Sequence, residues 1–211
     1  MRYQITFSKT DSMRFTGHLD LHTTLERTMR RANLPLVYSE GFTPRPKISL
    51  ASALPLGYTS EAEIAEFWLK EDLPVAEVAR AFHHASPPGI VLHETRIASP
   101  DAPKLQNALS SARFRITFEE VHPDLEKNVQ ALLSAEHLPR ERVRKGKKKT
   151  YDLRHLILDI EILPLNEAGR QQIVLHLRAE PGATGRPDEV LEALGIDPLL
   201  PRIHRIDLVF S

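Results

Sequence analysis

The 211-residue chain contains no cysteine and no apolar run of membrane-spanning length. The absence of cysteine excludes a disulfide framework, a thiol nucleophile, a cysteine zinc site and a cysteine-ligated iron–sulfur cluster within these residues. A membrane-spanning helix needs about 18 or more consecutive apolar residues, so none is predicted. The first residues alternate like a strand and show no signal-peptide hydrophobic region. We therefore expect a cytoplasmic protein.

Charge is balanced over the whole chain but unevenly distributed. Basic and acidic residues number 28 each. Residues 140–154 hold eight basic and two acidic side chains, a net charge of +6. Residues 9–47 carry a net charge of +3, which leaves −9 for the remainder. Such polarity is typical of a protein that presents a basic surface to a polyanion, although a solvated loop and a charged helix face would give the same pattern.

Hydrophobic periodicity predicts the elements of the first half. Residues 2–8 alternate as a strand, and a helix follows from Thr16 or Gly17 with a buried stripe at every third or fourth position. The stripe consists of Leu21, Leu25, Thr28 and Ala32. A strand at 62–70, a helix from residue 73 and a strand at 90–97 complete this half.

The same order of elements recurs after a segment rich in serine, alanine and proline. The fold class expected is therefore α+β, with two tandem ferredoxin-like β-α-β-β-α-β domains packed together. The predicted boundaries are an N-terminal domain at 1–98, a linker at 99–111 and a C-terminal domain at 112–211. The C-terminal domain carries a basic loop at 140–154.

The loop at residues 39–49 is a candidate ligand loop. Two prolines restrict it, so Arg45 and Lys47 are expected to project to the same side toward an anion. Gly41 allows close approach of the backbone, and Phe42 offers a stacking face for an unstacked base. The alternative is a rigid connector with Phe42 buried in the core.

The basic tract at residues 142–154 is the second candidate. It lies between a helix and a strand, so a mobile loop or a hairpin is expected. About six phosphate contacts would give salt-dependent binding with little sequence preference. Tyr151 is the aromatic residue of the tract. RNA is favoured over duplex DNA because no recognition helix is evident.

Histidines provide a weaker catalytic candidate. His18 and His22 lie one helical turn apart, but the glutamate of the metalloprotease motif is absent between them. His18 remains a candidate general base. No P-loop, dinucleotide fingerprint or nucleophile elbow occurs in the chain. The sequence thus predicts no cofactor and no metal site, and it favours a non-catalytic role while leaving an enzymatic one open.

Several motifs of the first half occur together: Phe7-Ser8-Lys9-Thr10, Arg14-Phe15-Thr16-Gly17-His18-Leu19-Asp20-Leu21, Tyr38-Ser39-Glu40-Gly41-Phe42 and Leu54-Pro55-Leu56-Gly57. With the tract ending Asp152-Leu153-Arg154, they resemble a bacterial family of radical-SAM-linked proteins. Its members occur fused to, or encoded beside, a radical SAM protein, and no defined activity comes with the family. The resemblance implies a separate radical SAM partner, because a chain without cysteine cannot hold the cluster. Arg45 and Gly17 depart from the family pattern, which usually has histidine and commonly serine there.

The leading hypothesis is an RNA-binding accessory module that works with a separate radical SAM protein in tRNA or rRNA modification or processing. One alternative is a metal-independent endoribonuclease with His18 as general base. The other is a protein-interaction module that docks on the radical SAM partner. The predicted RNA-binding residues are Arg27, Arg30, Arg31, Phe42, Arg45, Lys47, Arg142, Arg144, Lys145, Lys147, Lys148, Lys149 and Arg154.

Overall fold

The computed structural model describes residues 1–144 and 147–211, which form two compact units. The first comprises Met1–Leu109 together with Ser211, and the second comprises Ser110–Phe210. Both units mix helices with strands, so the predicted α+β class is confirmed. Among the described residues, no helix combines the length and apolar character needed to cross a membrane.

The elements of the first unit follow the predicted order, with two short additions. They are β1 (Arg2–Lys9), α1 (His18–Arg31), β2 (Ile48–Leu50), β3 (Thr59–Trp68), α2 (Val75–Ala85), β4 (Ile90–Ile97) and α3 (Leu105–Ala108). The strands lie in the order β2-β3-β1-β4, and each neighbouring pair is antiparallel. The additions, β2 and α3, are too short to produce a periodic pattern in the sequence.

The core of the first unit lies between its sheet and its two long helices. Tyr3, Ile5 and Phe7 alternate along β1 and are fully buried, as the period of a strand requires. The stripe predicted for α1 is largely confirmed, because Leu21, Leu25 and Thr28 are buried. Met29, which was not predicted, completes the buried face, whereas Ala32 lies just after the helix and is half-buried.

The second unit repeats this order with an inserted hairpin. Its elements are β5 (Leu109–Thr117), α4 (Leu125–Ser134), β6 (Pro139–Arg144), β7 (Lys147–Asp152), β8 (Ile157–Leu163), β9 (Gln172–Glu180), β10 (Ala183–Thr184), α5 (Pro187–Ala193) and β11 (Arg202–Phe210). The main strands lie in the order β8-β9-β5-β11, and the short β10 pairs antiparallel with the end of β9. Strands β6 and β7 form a separate antiparallel hairpin.

The segment predicted as a linker contains regular structure at its end. Within residues 99–111, α3 spans Leu105–Ala108 and β5 begins at Leu109. Small and polar residues suggested a connector, but Leu105 and Leu109 are both buried. The start of β5 is also paired with β9, for example at Ser111 and Arg178. This long-range pairing cannot be seen in local composition.

Candidate nucleic-acid interface

The ligand loop of the first unit is a closed structure with an exposed tip. Its base is held by the bond from Lys47 N to Val37 O at 2.8 Å. Ser39 N donates to Arg45 O at 2.8 Å, and Arg45 N donates to Ser39 Oγ at 3.0 Å. Phe42 lies at the tip with its ring fully exposed, so the alternative of a buried Phe42 is wrong. The loop therefore presents an aromatic ring to solvent on an ordered base.

A left-handed glycine shapes the tip of this loop. Gly41 has φ = 126°, a conformation that side-chain-bearing residues rarely adopt. Arg45 and Lys47, which the sequence placed on one side of the loop, are both exposed.

The three predicted arginines of α1 occupy different environments. Arg27 is exposed. Arg30 pairs with Glu26 at 2.7 Å and lies 5.7 Å from the ring centroid of Tyr38, beside the ligand loop. Arg31 donates to Ala85 O at 2.8 Å, at the end of α2. The structure thus brings Arg30 to the loop and directs Arg31 toward the other helix.

An exposed apolar group surrounds the start of α1 and was not predicted. The side chains of Phe15, Leu19 and Leu56 are 77%, 78% and 62% exposed. The segments that carry them are joined because Gly57 N donates to Arg14 O at 3.0 Å and Arg14 Nε donates to Gly57 O at 2.9 Å. We call Phe15, Leu19 and Leu56 the Phe15 patch.

The candidate catalytic histidine lies in the same region. His18 is half-buried in the first turn of α1. The second histidine, His22, lies one turn further along α1 and contacts Ile48 O through Nε2 at 3.4 Å. Among the described residues, neither histidine belongs to a group of three or more side chains close enough to hold a metal ion.

The basic tract of the second unit forms the β6–β7 hairpin. Basic residues occupy opposite register positions, with Arg142 facing Lys149 and Arg144 facing Lys147. Lys148 is exposed and pairs with Glu141 at 3.2 Å. An exposed pair of this kind contributes little to stability and is readily exchanged for another anion. Lys145 lies outside the described residues, as do the side chains of Arg144, Lys147 and Lys149.

The middle of strand β6 is attached to α5 through Glu189, an acidic residue that sequence analysis missed. Arg142 donates to Glu189 Oε1 from Nη2 at 2.6 Å, and its guanidinium carbon lies 5.0 Å from the ring centroid of Tyr151. The hydrogen bond to Glu189 raises the pKa of Arg142. Partial burial, and then the neighbouring Glu189 carboxylate, raise the pKa of Tyr151 to about 12. A charged side chain of β6 and an aromatic side chain of β7 are therefore fixed together.

A cleft of about 380 Å³ lies next to this network. It is lined by Arg142, Tyr151, Asp152, Leu156 and residues 182–184. It places the aromatic residue of the basic tract at a concave surface, where a ligand loses more water than on a flat one.

Asp152, at the end of the hairpin, is held by its surroundings. Its Oδ1 accepts from Leu138 N at 2.8 Å and from Arg154 N at 2.9 Å. Its Oδ2 lies 2.8 Å from His137 Nδ1. The Leu138 amide, followed by the His137 side chain, lowers the pKa of Asp152 to about 2. The carboxylate is therefore ionised at neutral pH.

Arg154, a predicted RNA contact, is half-buried and bonded to the backbone. Its guanidinium donates to Leu133 O at 3.2 Å and to Ile157 O at 2.9 Å. Seven of the predicted RNA-binding residues lie in the second unit and six in the first. The six are Arg27, Arg30, Arg31, Phe42, Arg45 and Lys47, and the seven are Arg142, Arg144, Lys145, Lys147, Lys148, Lys149 and Arg154.

The model of one protein family matches residues 2–187, and it is described as an uncharacterized protein conserved in bacteria (DUF2344). The chain belongs to this family. Among curated proteins, none matches the DUF2344 chain.

The DUF2344 chain is similar to one solved structure, the crystal structure of a Cbf5-Nop10-Gar1 complex, with a TM-score of 0.46 and 10% sequence identity. The alignment covers 89% of this chain and 45% of that one, so our chain spans less than half of its length.

Proposed function

We propose that the protein is an RNA-binding accessory module that works with a separate radical SAM protein in tRNA or rRNA modification or processing. The β6–β7 hairpin is the observation that carries the proposal. It comprises most of residues 140–154, which carry a net charge of +6 in a chain whose overall net charge is zero. The attachment of Arg142 to Glu189 fixes the middle of strand β6, which reduces the ordering cost of binding.

The exposed aromatic residue on the first unit supports a single-stranded or looped RNA as the ligand. Proteins that bind unpaired bases combine cations with aromatic faces on which the bases stack. Phe42 is fully exposed on a hydrogen-bonded loop that also carries the exposed Arg45 and Lys47. An exposed aromatic ring beside two cations indicates unpaired RNA more specifically than a basic surface alone would.

We further interpret each unit as a ferredoxin-like domain. The strand orders β2-β3-β1-β4 and β8-β9-β5-β11 support this interpretation, because a split β-α-β motif places the third strand between the first and the second. We also propose that the protein is located in the cytoplasm.

Filter binding to total RNA tests the RNA-binding function. The protein is freed of nucleic acid with nuclease and measured at about 50 and about 200 mM salt, over which phosphate contacts weaken steeply. The variant Lys147→Ala/Lys148→Ala/Lys149→Ala is expected to bind at least tenfold more weakly at the lower salt. The matched control Lys70→Ala/Arg80→Ala/Lys104→Ala removes three exposed positive charges elsewhere and is expected to bind like wild type. Equal binding by both variants would contradict the proposal, and RNA cleavage without metal would favour the endoribonuclease alternative.

The Phe15 patch favours a second candidate, a protein-interaction module that docks on the radical SAM partner. Three large apolar side chains, each more than half exposed, lie where the Arg14–Leu21 motif begins α1. Apolar interfaces are less sensitive to salt than phosphate contacts. Co-purification of the partner that survives nuclease and high salt, and is lost in Phe15→Ser/Leu19→Ser, would support docking. Retention of the partner by that variant would remove this candidate.

A further inference from the structure

Three metal-ligating side chains, none of them among the residues predicted to bind RNA, meet at the base of the hairpin. One ligand atom from each of His137, Asp152 and His155 lies within 4.8 Å of the other two. Asp152 Oδ2 is 2.8 Å from His137 Nδ1 and 3.4 Å from His155 Nε2. In a tetrahedral zinc site with bonds of about 2.0–2.1 Å, ligand atoms are separated by roughly 3.3 Å. The separations of these ligand atoms are therefore close to those around a tetrahedrally bound zinc ion.

The carboxylate of this cluster is oriented before any ligand binds. Asp152 Oδ1 accepts two backbone N–H groups, from Leu138 and Arg154, which leaves Oδ2 directed at both imidazoles. Leu153, the next residue, is completely buried and anchors the backbone. Hydrogen bonds from outside the coordination sphere commonly fix the ligands of metal sites in this way.

Both histidines are carried by fixed backbone. His155 lies in a single 3-10 turn, Arg154–Leu156, which the Arg154 side chain joins to Leu133 O and Ile157 O. The carbonyl of His155 also accepts from Arg178 Nε at 3.0 Å. His137 immediately precedes Leu138, whose amide is bonded to Asp152. All three ligands are thus held relative to one another by main-chain contacts.

We propose that His137, Asp152 and His155 bind a divalent transition-metal ion of the zinc class. Two imidazoles and one carboxylate suit Zn²⁺ and its neighbours, whereas Mg²⁺ and Ca²⁺ prefer oxygen ligands only. Three protein ligands leave a fourth tetrahedral position for water or another group. The histidine side chains are 67% and 72% exposed, so the ion has direct access from solvent.

The site joins the two ends of the basic hairpin. Pro139, two residues after His137, is the register partner of Asp152. A bound ion would connect the segment before β6 to the turn after β7 and close the hairpin at its base. The proposal does not depend on RNA binding, because none of the three ligands is among the residues assigned to RNA contact.

Titration of the full-length protein with Co²⁺, in a form without an affinity tag and stripped with chelator, tests the site. Tetrahedral Co²⁺ absorbs strongly in the visible range, and Zn²⁺ should displace it with a stoichiometry of one per chain. His137→Ala, His155→Ala and Asp152→Asn are each expected to weaken binding at least tenfold. The control His83→Ala/His84→Ala removes two exposed histidines of α2 and should leave the affinity unchanged.

A second measurement uses only wild-type protein and so is independent of whether the variants fold. Diethylpyrocarbonate modifies accessible histidines, and the modified positions are identified by mass spectrometry. Zn²⁺ is expected to protect His137 and His155 while His83 and His84 continue to react. No Co²⁺ spectrum at millimolar metal, or equal reaction of His137 and His155 with and without Zn²⁺, would overturn the proposal.

Discussion

Tyr151 is a phenol held between a carboxylate and a guanidinium. Its pKa, raised to about 12 by burial and by Glu189, exceeds the unfolded value of about 10. A raised pKa in the folded state means that the phenol contributes stability below pH 10 and loses it as the pH rises toward 12. We expect the free energy of unfolding of wild type to fall across this window more steeply than that of Tyr151→Phe.

Denaturant unfolding at several values of alkaline pH measures this difference. Absorbance of tyrosinate near 295 nm provides an independent check, since a phenol that titrates near pH 12 should be present in wild type and missing from Tyr151→Phe. Glu189→Gln should move that late titration toward the ordinary range. Parallel pH dependences of wild type and Tyr151→Phe would contradict the assignment.

Substitution of Phe42 separates an effect on RNA affinity from an effect on protein stability. Its ring is fully exposed, so Phe42→Ala removes almost no packing and should leave the melting temperature unchanged within about one degree. Loss of one stacked base is expected to cost about 1–3 kcal/mol of RNA affinity. Phe42→Tyr keeps the ring and should restore binding, and equal affinities of the alanine variant and wild type would show that no base stacks there.

The turn between α2 and β4 depends on one glycine. Gly89 has φ = 94°, and a Cβ added there would lie 2.5 Å from Met13 Cγ and 3.1 Å from Met13 N. Its carbonyl also accepts from Thr10 N at 2.9 Å, which joins this turn to the segment after β1. Gly89→Ala is therefore expected to lower the free energy of unfolding by about 1–3 kcal/mol from backbone strain, and by more from the collision with Met13.

Gly57→Ala is the matched control for Gly89→Ala. Gly57 has φ = 85°, but an added Cβ would meet nothing within 4 Å. The control carries the backbone strain alone, so it should be less destabilised than Gly89→Ala in urea unfolding. Equal losses would show that the collision relaxes at no cost.

The elements that the sequence predicted are those with a strong hydrophobic period. In α1, Leu21 and Leu25 recur at helical spacing, and in β1 the alternation of Tyr3 and Ile5 matches a strand. The hairpin gives no such signal, because its sequence is mostly charged and the pairing of its two strands is visible only in the structure. Strand β2 has three residues, too few for an alternating pattern to be recognised in the sequence.

The candidate sites were predictable only in part, for a similar reason. Charge counts identified the tract that forms the hairpin, and the prolines identified the ligand loop. Glu189 attaches to Arg142 from 47 residues away, and His137 meets Asp152 from 15 residues away, so no short motif contains them. The Phe15 patch was missed because exposure, unlike hydrophobicity, depends on the fold.

At the scale of the whole molecule, the positive and negative charges balance. RNA affinity therefore depends on where the positively charged side chains lie. With 28 basic and 28 acidic residues, no net attraction to a polyanion exists, and binding must come from local concentrations of positive charge. For single strands, the slope of log affinity against log salt is about −0.7 for each phosphate contact. Lys147→Ala/Lys148→Ala/Lys149→Ala should therefore reduce the slope by about 2 if all three lysines contact phosphate.

The same measurement decides whether both units contact one RNA. Arg27→Ala/Arg45→Ala/Lys47→Ala removes three exposed cations from the first unit and is expected to reduce the slope by a similar amount. If both units bind the same RNA, the combined six-residue variant should lose about 4 from the slope, because each lost contact subtracts independently. A combined variant no different from the hairpin variant would confine RNA binding to the second unit and leave the first for the protein partner.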